Sequence, residues 1–222
     1  MKGVFITFEG PEGSGKTTQA ARLCARLREL GIEVVSVREP GGTRTGEAIR
    51  KIVQHDSTRE PIFPETEALL FAASRAQLVR AEILPALARG AWVVSDRFSD
   101  STTAYQGYGR GFEIETILSI NAFAIGDAVP RLTFLLNVDL KTGFLRLGRR
   151  NRAGKRRHDR IERENLAFHG RVRRGYLCMA RRWPRRFRVI DSRRLAAAVH
   201  EEIWQHVRRL AAARHRMRGQ SA

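Results

Sequence analysis

Cysteine is scarce in this 222-residue chain: there are two, Cys24 and Cys178, far apart. Cys24 falls on one apolar stripe with Leu23 and Leu27, so buried free thiols in a reducing compartment fit better than a disulfide. Apolar runs of membrane-spanning length are missing too, and only Met1, Lys2 and Gly3 precede the first apolar stretch. Neither a membrane anchor nor a signal peptide is expected, and the protein is expected to be cytoplasmic. There is no internal repeat. With 42% hydrophobic residues the chain suffices for one α/β core and is short for two. One domain over residues 1–210 is expected, followed by a polar, basic, frayed tail at 211–222.

Acidic residues are also in deficit, 23 against 41 Lys and Arg, for a net charge of +18. The imbalance is local: residues 1–100 carry 14 basic and 13 acidic side chains, residues 101–222 carry 27 and 10. Eight of the fifteen residues in 146–160 are basic, and further clusters lie at 171–174, 181–188 and 208–218. Such charge suits either a nucleic-acid surface or solvated helix faces. No recognisable nucleic-acid motif accompanies it, and no strand interleaves aromatic with basic residues, so specific nucleic-acid binding is not expected.

What is present is alternation. Short apolar runs at 4–8, 34–37, 92–95, 132–138 and 187–190 read as five buried strands. Between and after them, helical periodicity covers 17–30, 45–54, 64–89, 114–125, 142–149, 163–180 and 195–213, with Gly31, Gly90 and Gly126 as stops. Pro85 predicts a kink or split near Ile83 and Leu84. Strands alternating with helices predict an α/β fold with a five-stranded parallel sheet flanked by helices. In such a sheet ligands gather at the carboxyl ends of the strands.

The first strand end carries Gly10, Pro11, Glu12, Gly13, Ser14, Gly15, Lys16 and Thr17, which fit G-x-x-x-x-G-K-[ST] between a strand and a helix. Glycines at 10, 13 and 15 let several backbone N–H groups turn inward on phosphate oxygens, and the helix adds its positive end. Lys16 is placed to reach the β- and γ-phosphates of ATP, and the Thr17 hydroxyl to hold Mg2+. Asp96 ends the third strand, the position of a second metal ligand. Arg97 follows it, a side chain suited to gripping a phosphate at two points.

With Asp96-Arg97-Phe98, the run 101–107 (Ser-Thr-Thr-Ala-Tyr-Gln-Gly), Arg38-Glu39-Pro40-Gly41-Gly42 and Asp159-Arg160-Ile161-Glu162, the chain resembles the thymidylate (dTMP) kinase family from about Val4 to Asp191. The resemblance implies a P-loop nucleoside monophosphate kinase-like fold with a short lid, about 146–162. It implies transfer of the ATP γ-phosphoryl to dTMP, feeding dTTP synthesis, and a homodimer. Lys16 and Mg2+ would serve the donor, with Arg97 and Arg38 on the acceptor phosphate and Glu12 near the acceptor deoxyribose. Phe71 and Arg75, four apart and so on one helix face, match a stacking ring and a thymine-contacting arginine. Thr102, Tyr105 and Gln106 match the segment that contacts the base and lies against C2′ of the sugar.

The loop holds Glu12 and no arginine, whereas the lid is arginine-rich, so the chain resembles the bacterial kind with a basic lid. Arg160 aligns with the lid motif's arginine, and Arg149, Arg150 and Arg152 remain alternatives for closing over the ATP phosphates. Phe98 stands where the family often has tyrosine or histidine. Two other readings stay open: another P-loop nucleoside monophosphate or deoxynucleoside kinase, or a nucleic-acid-dependent ATPase.

Overall fold

The computed structural model describes residues 3–55, 60–154 and 159–218, without the side chains of residue 55 and of 213–218. Residues 155–158 of the expected lid and 219–222 of the expected tail lie outside the described residues.

Five strands, β1 (Phe5–Glu9), β2 (Val34–Arg38), β3 (Trp92–Asp96), β4 (Leu132–Asn137) and β5 (Phe187–Asp191), form one parallel sheet in the order β2-β3-β1-β4-β5. The register sets Arg38 beside Asp96 and Asp96 beside Phe8. The ends of β2 and β3 and the exit of β1 therefore open on one edge, where the chain order reverses between β1 and its two neighbours.

Alternation along the strands splits the core into two layers. Ile6, Phe8, Trp92, Val94, Phe134 and Leu136 face α1 (Lys16–Glu29) and α9 (Ala196–Arg218), which contribute Leu23, Cys24, Leu27, Val199, Ile203 and Val207. Phe5, Val37 and Val93 face the opposite side, against Leu78, Val79 and Ile83. Farther along that side Leu135 and Phe187 meet Phe168, Val172 and Tyr176 of α8 (Leu166–Arg182).

The long helical pattern after Pro64 is broken as Pro85 predicts. α3 (Pro64–Leu78) passes through a π-helical turn, Val79–Ile83, into α4 (Leu84–Ala88), with Pro85 in the first turn of α4. A ring nitrogen without a hydrogen is harmless there. Four boundaries differ from expectation. A short α5 (Ser99–Thr102), running on as a π-helical segment Thr103–Gly109, follows β3 where no helix was expected. α8 begins at Leu166 because the Asn165 side chain accepts from Phe168 N–H and caps it. α7 (Leu140–Ala153), capped by Asp139 on Thr142 N–H, runs into the expected lid. α9 continues to Arg218 with Ala211 in the core, so the chain does not leave its last helix at 211. Alanines at 211–213 are strong helix formers, which outweighs the polar composition.

The remaining helices are α2 (Arg44–His55) and α6 (Ile114–Ile125). Cys24 is buried as expected, but Cys178 is exposed: on α8 it points outward while Tyr176 and Met179 point in. Among the described residues, no helix is long and apolar enough to cross a membrane.

Candidate active site

The loop between β1 and α1 wraps tightly. Gly13 and Gly15 have φ of 68° and 91°, and a Cβ at Gly13 would stand 2.0 Å from the Gly143 carbonyl oxygen of α7. Only glycine fits a left-handed backbone packed this closely. Lys16 is buried, and its ammonium donates to the carbonyls of Gly10 (3.0 Å) and Pro11 (2.8 Å) and to Ser14 Oγ (3.3 Å). Burial, then the nearby Arg97 charge, lowers its pKa to about 8 against the pull of Glu12 and Asp96. The Thr17 hydroxyl donates to Asp96 Oδ2 at 2.5 Å. Two hard oxygens thus stand together at the donor end, a donor set suited to Mg2+, which takes few protein ligands and shares phosphates.

Arg97 adopts a left-handed backbone, φ 71°, costing roughly 1–3 kcal/mol for a residue other than glycine. Its backbone N–H is held by the Phe8 carbonyl (2.9 Å) and its carbonyl by Ser95 Oγ (2.6 Å). The turn aims the guanidinium back at the loop, where it donates to Glu12 Oε1 (2.6 Å) and Gly10 O (3.3 Å). The Tyr105 hydroxyl donates to the same Glu12 oxygen at 2.7 Å, and the guanidinium lies 5.1 Å from the Tyr105 ring centroid. Burial alone would raise the Glu12 pKa, but Arg97, Lys16 and the Tyr105 hydrogen bond more than offset it and hold it at about 2.

Sequence reasoning missed Glu9. Fully buried at the end of β1, it accepts from Phe98 N–H (2.8 Å), Ser101 Oγ (2.6 Å) and Tyr176 OH (3.0 Å). It therefore ties β1 to the start of α5, the stretch just after Arg97. Burial, and next the charge of Asp100, raises its pKa to about 7. A charged residue at a strand end invites a solvent-facing reading; only its hydrogen bonds, made to residues about 90 and 167 positions away, reveal the role.

At the other end of the cleft, Phe71, Arg75, Thr102, Tyr105 and Gln106 come together on its wall. Arg75 is 1% exposed. Its Nε and Nη2 grip Glu39 Oε2 (2.9 and 2.7 Å), Nη2 also donates to Thr102 Oγ1 (2.8 Å), and Nη1 donates to Asn121 Oδ1 (2.7 Å). Thr102 thus acts first on Arg75. Phe98 is buried against Phe5 edge to face, ring centroids 4.9 Å apart, which is why an apolar ring is accommodated there. Arg38 lines the same cleft, half-exposed and paired with Glu47 at 2.7 Å.

The lid arginines separate. Arg150 lines the cleft and pairs with Glu162 at 2.7 Å. Arg149 is exposed, and Arg152 lines a separate apolar groove. Arg160 turns away from the cleft: Nε donates to Val53 O (3.2 Å) and Nη2 pairs with Glu67. The wall beyond the phosphate loop, unassigned from sequence, is built by Gln19, Arg146 and the 192–196 segment after β5. Several C-terminal arginines are spent on internal acceptors: Arg171 on Gly109 O, Arg173 on Asn137 and Arg186 on Asp100.

The whole is one continuous cleft of about 1460 Å3 across the carboxyl edge of the sheet. A phosphate loop at one end, an aromatic-and-arginine pocket at the other and arginines between them define a P-loop nucleoside monophosphate kinase. Comparison with known proteins narrows this. The model of the family described as thymidylate kinase matches residues 8–203. The chain is 46% identical over 200 residues to a thymidylate kinase of Kosmotoga olearia, covering 90% of this chain and 93% of that one. It is 50% identical over 203 residues to one of Pelotomaculum thermopropionicum, covering 91% and 92%. A crystal structure of thymidylate kinase from Ehrlichia chaffeensis superposes with a TM-score of 0.74 at 34% identity, covering 93% of this chain and 99% of that one. The chain belongs to the thymidylate kinase family.

Proposed function

We propose that this kinase transfers the γ-phosphoryl of ATP to the 5′-phosphate of dTMP, giving dTDP and ADP, with the residues of the cleft divided between two nucleotides. The observation that carries the reading is the position of Arg97 and Glu12, hydrogen-bonded to each other between the phosphate loop and the Phe71–Gln106 pocket. Phosphoryl transfer needs in-line positioning and neutralised oxygens more than covalent help.

At the donor end the backbone N–H groups of the loop after Pro11, residues 12–17, and the Lys16 ammonium take the ATP phosphates. Thr17 and Asp96 would hold Mg2+, which supplies charge to the phosphate oxygens when bound. The wall formed by Gln19, Arg146 and residues 192–196 takes the donor nucleoside. Arg150, which faces the cleft, is the lid arginine best placed for the donor phosphates; Arg160, tied to Glu67, serves the lid from behind. At the acceptor end Arg97 and Arg38 take the monophosphate, Glu12 faces the sugar, Phe71 stacks on the base, and Arg75, Thr102 and Gln106 address its edge. The Tyr105 ring would crowd a ribose 2′-hydroxyl.

The functional unit is a single domain that includes α9, with its lid at about 146–162, active in the cytoplasm as a homodimer. α6 supports the pairing. It carries eight apolar residues of twelve, yet only Ile117, Asn121 and Ala124 are buried, leaving Phe123 84% exposed on the face it shares with Glu115, Thr116 and Ser119. An aromatic ring left this exposed is apolar surface that a partner can cover. Leu69 of α3, which packs against α6, is 58% exposed as well.

An ADP-release assay across dTMP, dUMP, dCMP, AMP and GMP tests the reading. Preference for dTMP is expected, and equal use of the five would refute it.

A further inference from the structure

Glu67 of α3 is completely buried and lies behind the cleft, outside its wall. Oε1 accepts from Gln106 Nε2 (2.7 Å) and Arg110 Nε (3.2 Å), and Oε2 accepts from Arg110 Nη2 (3.1 Å) and Arg160 Nη2. Arg110 also pairs with Glu164 at 2.5 Å. One carboxylate thus gathers the π-helical segment after α5, through Gln106 and the C-capping Arg110, and the lid, through Arg160. Burial acts to raise its pKa, but the Arg110 hydrogen bond and charge, then Arg160 and Gln106, overcome it and keep the group below the ordinary carboxylate range.

An ionised carboxylate can only accept hydrogen bonds. Gln106 must therefore present its NH2 to Glu67, which leaves Oε1 at the opposite end of the amide. No described residue donates to that oxygen, and Gln106 lines the cleft. Beside it in the wall is Arg75, four of whose five N–H groups are engaged by Glu39, Thr102 and Asn121. Between them Gln106 and Arg75 thus offer one acceptor and one remaining donor.

We propose that Glu67 is a positioning residue for base specificity: by locking Gln106 as an acceptor, it makes the pocket select a pyrimidine whose ring N–H adjoins a carbonyl and reject one whose bare ring nitrogen adjoins an amino group. The inference rests on the reading of this pocket as the dTMP site. Thymine fits the acceptor-donor pair. Cytosine sets acceptor against acceptor and donor against donor, the unpaired arrangement that gives polar sites their discrimination.

The test compares dTMP with dCMP by ADP release in the unmodified enzyme and in Glu67→Gln. A neutral amide at 67 can donate or accept, so Gln106 is free to flip. The ratio of kcat/KM for dTMP over dCMP is expected to fall by about tenfold, the scale of one well-formed hydrogen bond, with KM for dTMP rising. A role confined to packing would slow both substrates alike, and an unchanged ratio in the folded variant overturns the proposal. A second measurement needs only the unmodified chain labelled with 15N-glutamine, the Gln106 signal being identified by its loss in Gln106→Leu. Its side-chain NH2 is expected to exchange slowly and resonate downfield; a solvent-like amide overturns the proposal even if Glu67→Gln does not fold. An unmodified enzyme indifferent to dTMP and dCMP would instead refute the thymidylate-site reading itself.

Discussion

Arg97 Nη2 stands 2.6 Å from Glu12 Oε1, the two side chains 17% and 13% exposed, so this ion pair is largely out of water. It joins a strained residue after β3 to the phosphate loop and keeps the Glu12 pKa at about 2 despite burial. Removing one partner strands the other. Arg97→Ala is expected to cost about 3 kcal/mol of stability by leaving Glu12 unpaired, and Arg97→Ala with Glu12→Ala is expected to recover part of it in urea unfolding. In steady-state kinetics Arg97→Ala should lower kcat/KM for dTMP by about a hundredfold or more, through the lost clamp on transferring charge. Unaltered kinetics with dTMP would contradict the clamp.

Lys16 supplies the donor-side counterpart. Its ammonium is occupied by Gly10 O, Pro11 O and Ser14 Oγ, so it must exchange at least one of these to reach a phosphate. With a pKa of about 8 it is only half protonated near that pH. A bound polyphosphate favours the charged form, so ATP binding at about pH 8 should take up roughly half a proton. Calorimetry in buffers of different ionisation enthalpy measures this uptake, and Lys16→Ala should abolish it. The same substitution should lower kcat by about a hundredfold or more while leaving the circular dichroism spectrum intact.

Much of this was legible in the sequence, because short continuous apolar runs and a glycine-patterned loop are local signals. The five strands and the glycine turn need only spacing and chain order, whereas the convergence of Phe71, Arg75, Tyr105 and Gln106 follows from the family resemblance. What escaped was set by distant partners. Arg160 has the composition of a phosphate-facing lid residue, yet Glu67, 93 positions earlier, draws it away. Nor does Glu9 betray its burial beneath Ser101 and Tyr176. The π-helical segment at Thr103–Gly109 has no periodicity of its own, since its register is fixed by packing on α8.

Glu9 should make stability depend on pH. Its ordinary pKa of 4.5 holds in the unfolded chain, against about 7 in the fold. Between these values the unfolded chain releases the proton while the folded protein keeps it. The folded state therefore binds more protons, and stability should fall as pH rises from about 4.5 to about 7 and level off above. Glu9→Gln cannot ionise and should lack this component. Urea midpoints measured from about pH 5 to pH 8 should fall more steeply for the unmodified protein than for Glu9→Gln; parallel curves would exclude the raised pKa.

The α6 face gives the last prediction. Phe123 is 84% exposed near the end of a helix whose closing carbonyls, Phe123 and Ala124, are capped by Arg80 at 3.4 and 2.7 Å. The helix end is thus fixed within the chain, and the ring does not serve the fold. If α6 packs against a second copy, two-fold pairing brings equivalent faces together, so each substitution enters the interface twice. Phe123→Asp would then bury two carboxylates in an apolar contact, at a cost of several kcal/mol. Sedimentation velocity should find a dimer for the unmodified protein and a monomer for Phe123→Asp. The monomer should unfold at nearly the same urea concentration when compared at high dilution, because the residue makes little contact within its own chain. A monomeric unmodified protein would remove the homodimer, and a dimeric Phe123→Asp would move the interface away from α6.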